Sequence, residues 1–224
     1  MSKELIEYLS EFVSDNRNTI FQDIIQWRTR YITVALEDIY QSQNASAVLR
    51  TCDCFGVQDV HIIENDNEYD INPDVALGSN QWLNLHKYNN LKNNTAHAIQ
   101  SLKEKGYRVV ATTPHTNDVE LNKLDLSKGK IALMFGTELR GLSETALEMA
   151  DEYVKIPMYG FTESFNISVS AAIILNTLTN KLRESSDINW QIDDKEKESI
   201  LIEWYKNTIK DSDGVMNRYF EKNI

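Results

Sequence analysis

The chain has little that could crosslink it or carry it into a membrane. Its 224 residues include two cysteines, Cys52 and Cys54, only two positions apart. That spacing suits neither a disulfide framework nor a four-ligand zinc site, so reduced thiols in a cytoplasmic protein are expected. No apolar run approaches the roughly 20 residues of a membrane span, and Met1-Ser2-Lys3-Glu4-Leu5 opens no signal-peptide apolar region. The four histidines, His61, His86, His97 and His115, show no i, i+4 ligand pair, so no metal site is expected. There is no Gly-x-Ser-x-Gly elbow, and neither cysteine has a base beside it in sequence, which leaves nucleophilic catalysis unsupported. Basic residues are also outnumbered. The balance of 23 Lys/Arg against 34 Asp/Glu gives a net charge of −11, which counts against a nucleic-acid partner. Net charge is a global sum, however, and binding depends on the local patch. Arg50, Lys87, Arg108, Arg140 and Lys155 are scattered in sequence, so only a fold could gather them.

What is present is an ordinary globular composition, 42% hydrophobic and 25% charged. Leu5, Leu9, Phe12 and Val13, then Ile20, Ile24, Ile25 and Trp27, recur at helical spacing. Residues 2–28 therefore read as two helices, broken at Asp15-Asn16-Arg17-Asn18. Short apolar strands are expected at 31–36, 57–63, 107–112, 131–135 and 153–156. Helices are expected at 44–54, with Asn44 near the cap, at 95–105 ended by Gly106, at 143–150 opened by Ser143, and at 166–183. Residues 184–194 read as a polar linker, and a last helix over about 195–210 carries Ile200, Leu201, Trp204 and Tyr205 on one face. Strands alternating with helices predict an α/β fold on a parallel sheet, with ligands at the carboxyl ends of its strands.

Three segments could carry chemistry, and each also has a plain structural reading. Ser164-Phe165-Asn166-Ile167-Ser168 follows Ile156-Pro157-Met158 and opens a helix rich in small residues; it is a capped core helix or a ligand-facing turn. Phe135-Gly136-Thr137-Glu138-Leu139-Arg140-Gly141 follows an expected strand and is neither a Walker loop nor a Rossmann fingerprint. It is a strand-to-helix turn or a loop whose glycines permit close backbone approach. Asn44 and Arg50 lie on roughly one helical face; Arg50 is a solvated or salt-bridged arginine, or a phosphate clamp. Gly78-Ser79-Asn80-Gln81-Trp82 could line a cleft.

Taken in order, these segments resemble the SpoU branch of the SPOUT methyltransferases. Asn44-x-x-Ala47-x-x-Arg50-Thr51 is similar to motif one, Leu133-Met134-Phe135-Gly136-Thr137-Glu138-x-x-Gly141-Leu142 to motif two, and Ile156-Pro157-Met158 through Ala172 to motif three. Leu49-Arg50-Thr51-Cys52-Asp53 and the Gly78–Trp82 segment are similar to the TrmH group, as are short helical extensions at both ends. The resemblance covers about residues 31–183. It implies a SPOUT-type domain at 31–183 with a deep C-terminal trefoil knot, a helical extension at 1–30, and a linker and helical extension at 184–224. It further implies an enzyme that methylates a ribose 2′-hydroxyl of tRNA, guanosine 18 of the D-loop first among the candidates, using S-adenosyl-L-methionine (SAM). The alternatives are a SpoU enzyme acting on rRNA or another tRNA position, and a non-catalytic knotted RNA-binding protein. A homodimer is implied, with the small-residue face of helix 166–183 and the motif-one helix meeting a second subunit.

By the same resemblance, Arg50, Asn44, Asn166, Glu138 and Ser164 are the catalytic set. Thr112, Phe135, Gly136, Glu138, Gly141, Ile156, Met158, Ser164 and Phe165 are the cofactor-binding set. A guanidinium offers donors and no acceptor, so Arg50 is expected to hold a phosphate and stabilise a developing alkoxide. The chain departs from the TrmH pattern in three places. Residues 1–30 carry four Lys/Arg against five Asp/Glu, where basic helices are common in the group, Gln43 stands where some members have histidine, and Thr162-Glu163 replaces an apolar residue plus glutamine.

Overall fold

Six consecutive buried residues, Ile32–Glu37, form strand β1. Strands β2 (Asp59–Ile63) and β6 (Ile131–Phe135) are likewise buried along their whole length. Such runs mark strands covered on both faces, which is the condition for a parallel sheet. The structure, a computed structural model, describes residues 2–70, 72–114 and 118–222. Its sheet adds β3 (Asn84–Tyr88), β4 (Arg108–Thr112), β5 (Val119–Glu120) and β7 (Glu152–Lys155). The strand order is β3-β2-β1-β6-β4-β7-β5, and every described pairing is parallel. The remaining elements are α1 (Ser2–Ser10), α2 (Asp15–Ile25), α3 (Ser42–Cys54), α4 (Pro73–Ala76), α5 (Asn94–Glu104), α6 (Glu144–Met149), α7 (Ile167–Glu184), α8 (Asp194–Thr208) and α9 (Ser212–Lys222).

Successive side chains of a strand point to opposite faces, and the core divides accordingly. Val34, Leu36, Leu133 and Phe135 bury with Val48, Leu49 and Cys52 of α3 and Ala171, Ile174 and Leu178 of α7. Ala35, Ala132 and Met134 face the other way, toward Ala98, Ile99 and Leu102 of α5 and Ala146 of α6. Each large buried side chain contributes about 1.5–3 kcal/mol of transfer free energy. The motif-one helix and the small-residue helix thus pack on one another within a single chain, with Ala171 fully buried and Ala172 half-buried.

The chain divides into two compact units, residues 29–190 and residues 2–28 with 191–222. In the second, Leu5, Leu9, Phe21, Ile25, Ile200, Leu201, Trp204 and Tyr205 are buried. Phe21 lies against both Trp204 and Tyr205, with centroids 5.5 and 5.3 Å away.

Several local expectations are corrected. The break between α1 and α2 falls at residues 11–14, not at Asp15–Asn18, because Ser14 caps α2 by accepting from the Arg17 N–H at 3.2 Å. Asn44 lies inside the first turn of α3, whose N-cap is Gln41. Strands β3 and β5 and helix α9 were not expected. Residues 184–194 are no loose linker: Ile188 and Trp190 pack on the core, and the Thr29 hydroxyl donates to the Trp190 carbonyl at 2.6 Å.

Candidate active site

The carboxyl ends of β4, β6 and β7 feed loops that line a cavity of about 340 Å³. That volume lies within the ordinary range for small-molecule sites. Its walls come from Thr112, Thr113 and Pro114 after β4, from residues 135–142 after β6, from Ile156, Met158, Glu163, Ser164 and Phe165 after β7, and from Ile167, Ser170 and Ile174 of α7. All nine residues assigned to a cofactor by resemblance, Thr112, Phe135, Gly136, Glu138, Gly141, Ile156, Met158, Ser164 and Phe165, line it. Phe135, Leu142, Val154, Ile156, Met158 and Ile174 supply an apolar wall, while Thr137, Glu138, Arg140, Glu163 and Ser170 supply polar and charged groups. An apolar slot beside charged groups fits a nucleoside that carries an amino-acid tail.

The loop after β6 is built by its glycines. A Cβ on Gly136 would sit 2.2 Å from the Gly141 carbonyl group and 2.4 Å from the Leu142 nitrogen. The glycine is therefore needed for the loop's own backbone crossing, whereas the resemblance assigned it to contact with a cofactor. Gly141 has φ of 68°, a conformation that costs an L side chain strain. Thr137 and Gly141 exchange backbone hydrogen bonds of 3.0 and 2.9 Å, and the Arg140 N–H donates to the Thr137 hydroxyl at 3.1 Å. The loop is consequently a closed unit with Glu138 exposed at its tip.

Three of the proposed catalytic residues meet there. The Asn44 amide donates to Glu138, and the Asn166 amide donates to Asn44 Oδ1 at 3.2 Å. Gln41 Oε1 also accepts from Asn44 at 2.9 Å. Asn166 is at once the N-cap of α7, its Oδ1 accepting from the Ser168 N–H at 2.8 Å and the Ser168 hydroxyl at 2.6 Å. Ser164 lines the cavity. Arg50 stands apart, about 120° around α3 from Asn44 and not on its face: it is exposed, does not line the cavity, and has no hydrogen-bond or ion-pair partner among the described residues. An exposed guanidinium without an internal partner is available to an external anion.

The other basic residues are not gathered. Arg108 opens β4 at the amino end of the sheet, paired with Glu152 at 2.7 Å, while Arg140 lies in the loop after β6 at the opposite end. Gly78–Trp82 forms a 3₁₀ turn beside α3 and is absent from the cavity wall, against the cleft reading. His115 lies outside the described residues. His61 and His86 are register partners on β2 and β3, with rings stacked 4.7 Å apart, a pairing that sequence spacing could not reveal. Burial, with lesser repulsion from His86 and Lys105, pushes His61 down to about 3. No group of three or more His, Cys, Asp or Glu able to hold a metal occurs among the described residues. None of their helices is long and apolar enough to cross a membrane.

Sequence reasoning also passed over Glu37, the last residue of β1. It is 2% exposed and accepts from the Ser143 N–H at 2.8 Å, the Ser143 hydroxyl at 2.6 Å and the Thr95 hydroxyl at 2.6 Å. No signal in the sequence pointed to it, because its partners lie 58 and 106 residues away.

A parallel α/β sheet with a loop-built cavity at its carboxyl ends defines a ligand-binding α/β protein. Residues 31–176 match the SpoU rRNA methylase family, and the chain belongs to it. It is 45% identical over 212 residues to the tRNA (guanosine(18)-2′-O)-methyltransferase of Borreliella burgdorferi, covering 95% of this chain and 94% of that protein. It is similar to the crystal structure of the Aquifex aeolicus TrmH/SpoU tRNA modifying enzyme, with a TM-score of 0.77 at 26% identity over 87% of this chain and 98% of that one. In fold it resembles the SpoU methyltransferase AviRb from Streptomyces viridochromogenes in complex with AdoMet, with a TM-score of 0.60 at 20% identity over 73% of this chain and 62% of that one.

Proposed function

We propose that this chain transfers a methyl group from SAM to the ribose 2′-hydroxyl of guanosine 18 in tRNA. The observation that carries the reading is the meeting of Asn44, Glu138 and Asn166, drawn from three distant segments, beside a cavity suited to a nucleoside. The relative at 45% identity supports guanosine 18 as the target.

Bound SAM supplies an electrophilic methyl group on a sulfonium. Ile156 and Met158 would pack its adenine, and Thr112, Phe135, Gly136, Gly141, Ser164 and Phe165 would complete the slot. Glu138, held by Asn44, fixes the loop after β6. Asn44 and Asn166 would orient Arg50 and the ribose for methyl transfer, and such positioning is a large part of catalysis. Arg50 would hold the neighbouring phosphate and stabilise charge developing on the oxygen as its proton passes to water.

The catalytic domain of this reading is residues 31–183, with the chain from motif two to motif three passing through a loop as a trefoil knot, a rare exception to unthreaded connections. Residues 1–30 and 184–224 flank it as extensions. The enzyme acts as a cytoplasmic homodimer without a metal. Leu139, Tyr159 and Phe161, almost fully exposed on the loops around the cavity, support a second copy covering this end.

Incubation of the pure protein with labelled SAM and unmodified tRNA, followed by nucleoside mapping, tests the proposal. Label is expected in 2′-O-methylguanosine at position 18. Label at another ribose, or transfer to ribosomal RNA instead, would replace it with the corresponding SpoU activity.

A further inference from the structure

We infer that Glu37 is a positioning residue for the cofactor cavity, acting through Ser143 on the loop at 136–142. The inference rests on the methyltransferase reading of that cavity. Glu37 ends β1 beside β6, since its neighbour Leu36 is in register with Phe135, the last residue before Gly136. The loop thus leaves the sheet next to Glu37 and returns to it at Ser143. Both carboxyl oxygens are used on that return: one accepts from the Ser143 backbone N–H at 2.8 Å, the other from its hydroxyl at 2.6 Å. The Ser143 hydroxyl also caps α6, accepting from the Ala146 N–H at 3.1 Å. Because Thr137 and Gly141 are bonded to each other, the loop moves as one body. Its free motion is a swing about the Gly136 and Leu142 ends.

Glu37 fixes the second of those ends, and with it the direction in which Glu138 points toward Asn44. The third bond, from Thr95 at the start of α5, ties the carboxyl group to the helix layer on that face and makes no direct bond to the loop. Buried hydrogen bonds to a carboxylate are among the stronger ones, and an amide in its place cannot accept at both oxygen positions. Loss of the anchor leaves the pocket to be ordered at the moment of binding, which weakens affinity and leaves the reacting groups unchanged.

The test is calorimetric titration of SAM into the full-length protein, with hydrogen exchange at residues 136–143 of the ligand-free protein as a second readout. Glu37→Gln is expected to raise the SAM Kd about tenfold, in line with a lost charge-assisted bond, and to speed exchange across the loop. Ser143→Ala is expected to raise Kd about threefold, and Ser143→Thr, which keeps both donors, to restore it. Thr95→Val removes a bond to the same carboxyl group without touching the loop; it is expected to lower the melting temperature while Kd stays within about twofold. A wild type that does not bind SAM would sink the methyltransferase reading. Wild-type binding with an unchanged Kd in Glu37→Gln, or a Thr95→Val loss as large as that of Glu37→Gln, would overturn the role of Glu37 alone. Should Glu37→Gln fail to fold, a Kd in Ser143→Ala equal to that of Ser143→Thr would overturn it equally.

Discussion

The two ends of the sheet treat charge differently. At the amino ends, charges are spent on one another. Arg108 and Lys128 share Glu152 at 2.7 and 3.1 Å, Lys103 meets Asp151 at 2.7 Å, and Arg30 meets Asp59 at 2.9 Å. Burial opposes ionisation of Asp59, but the His86 hydrogen bond and the Arg30 guanidinium outweigh it and hold the carboxyl below its usual range. At the carboxyl ends, Glu138 and Asn166 are exposed and bonded to neutral groups, and Glu163 faces the cavity. Beside the cavity such groups stay available, although farther along the same end of the sheet Lys87 still pairs with Glu64 at 3.6 Å. What separates them is whether the fold brings a complementary group within reach.

The contrast can be broken in order of expected effect. Arg50→Ala removes a charge without an internal partner. Turnover is expected to fall about 1,000-fold, as for loss of a transition-state donor, with SAM affinity and melting temperature nearly unchanged. Near-normal turnover would remove Arg50 from the mechanism. Asn44→Ala frees Glu138 and Asn166 together, and single-turnover assays are expected to show a loss of roughly 100-fold, the scale of a misplaced reacting group.

Away from the site, substitutions are expected to change stability alone. His61 lies near 3 in the fold against an ordinary value of 6.5, so between those values the unfolded chain binds the extra proton. Its contribution is complete above about pH 6.5 and is lost as the pH falls toward 3, at up to about 1.4 kcal/mol per pH unit. Thermal melts of His61→Asn are expected to show a shallower acid limb than the wild type; parallel limbs would remove His61 from that dependence. Arg108→Ala breaks a largely buried pair, leaving Glu152 to Lys128. It is expected to cost about 1 kcal/mol, a few degrees of melting temperature, with no change in SAM affinity.

Much of this was legible in the chain. Apolar runs such as Ile131–Phe135 announced a parallel sheet, and the Ser143 and Asn166 caps marked the starts of α6 and α7 as expected. Strand β3 was missed because Asn84-Leu85-His86-Lys87-Tyr88 lies at the sheet edge, half-exposed, and lacks the apolar run of a central strand. The hydrogen bonds among Asn44, Glu138 and Asn166 join residues 94 and 122 positions apart, which spacing alone cannot encode; only the resemblance brought them together. Glu37 escaped for the same reason, its partners lying 58 and 106 residues away. A single acidic residue ending an apolar strand reads as a solvated strand end until its partners are seen.

The central claim is that the loops at the carboxyl ends deliver a methyl group to one ribose hydroxyl. Two tRNA transcripts identical except for 2′-deoxyguanosine at position 18 test it most directly. Stoichiometric methylation of the ribose form and none of the deoxy form is predicted. Equal labelling of both transcripts would place the methyl elsewhere and contradict the account.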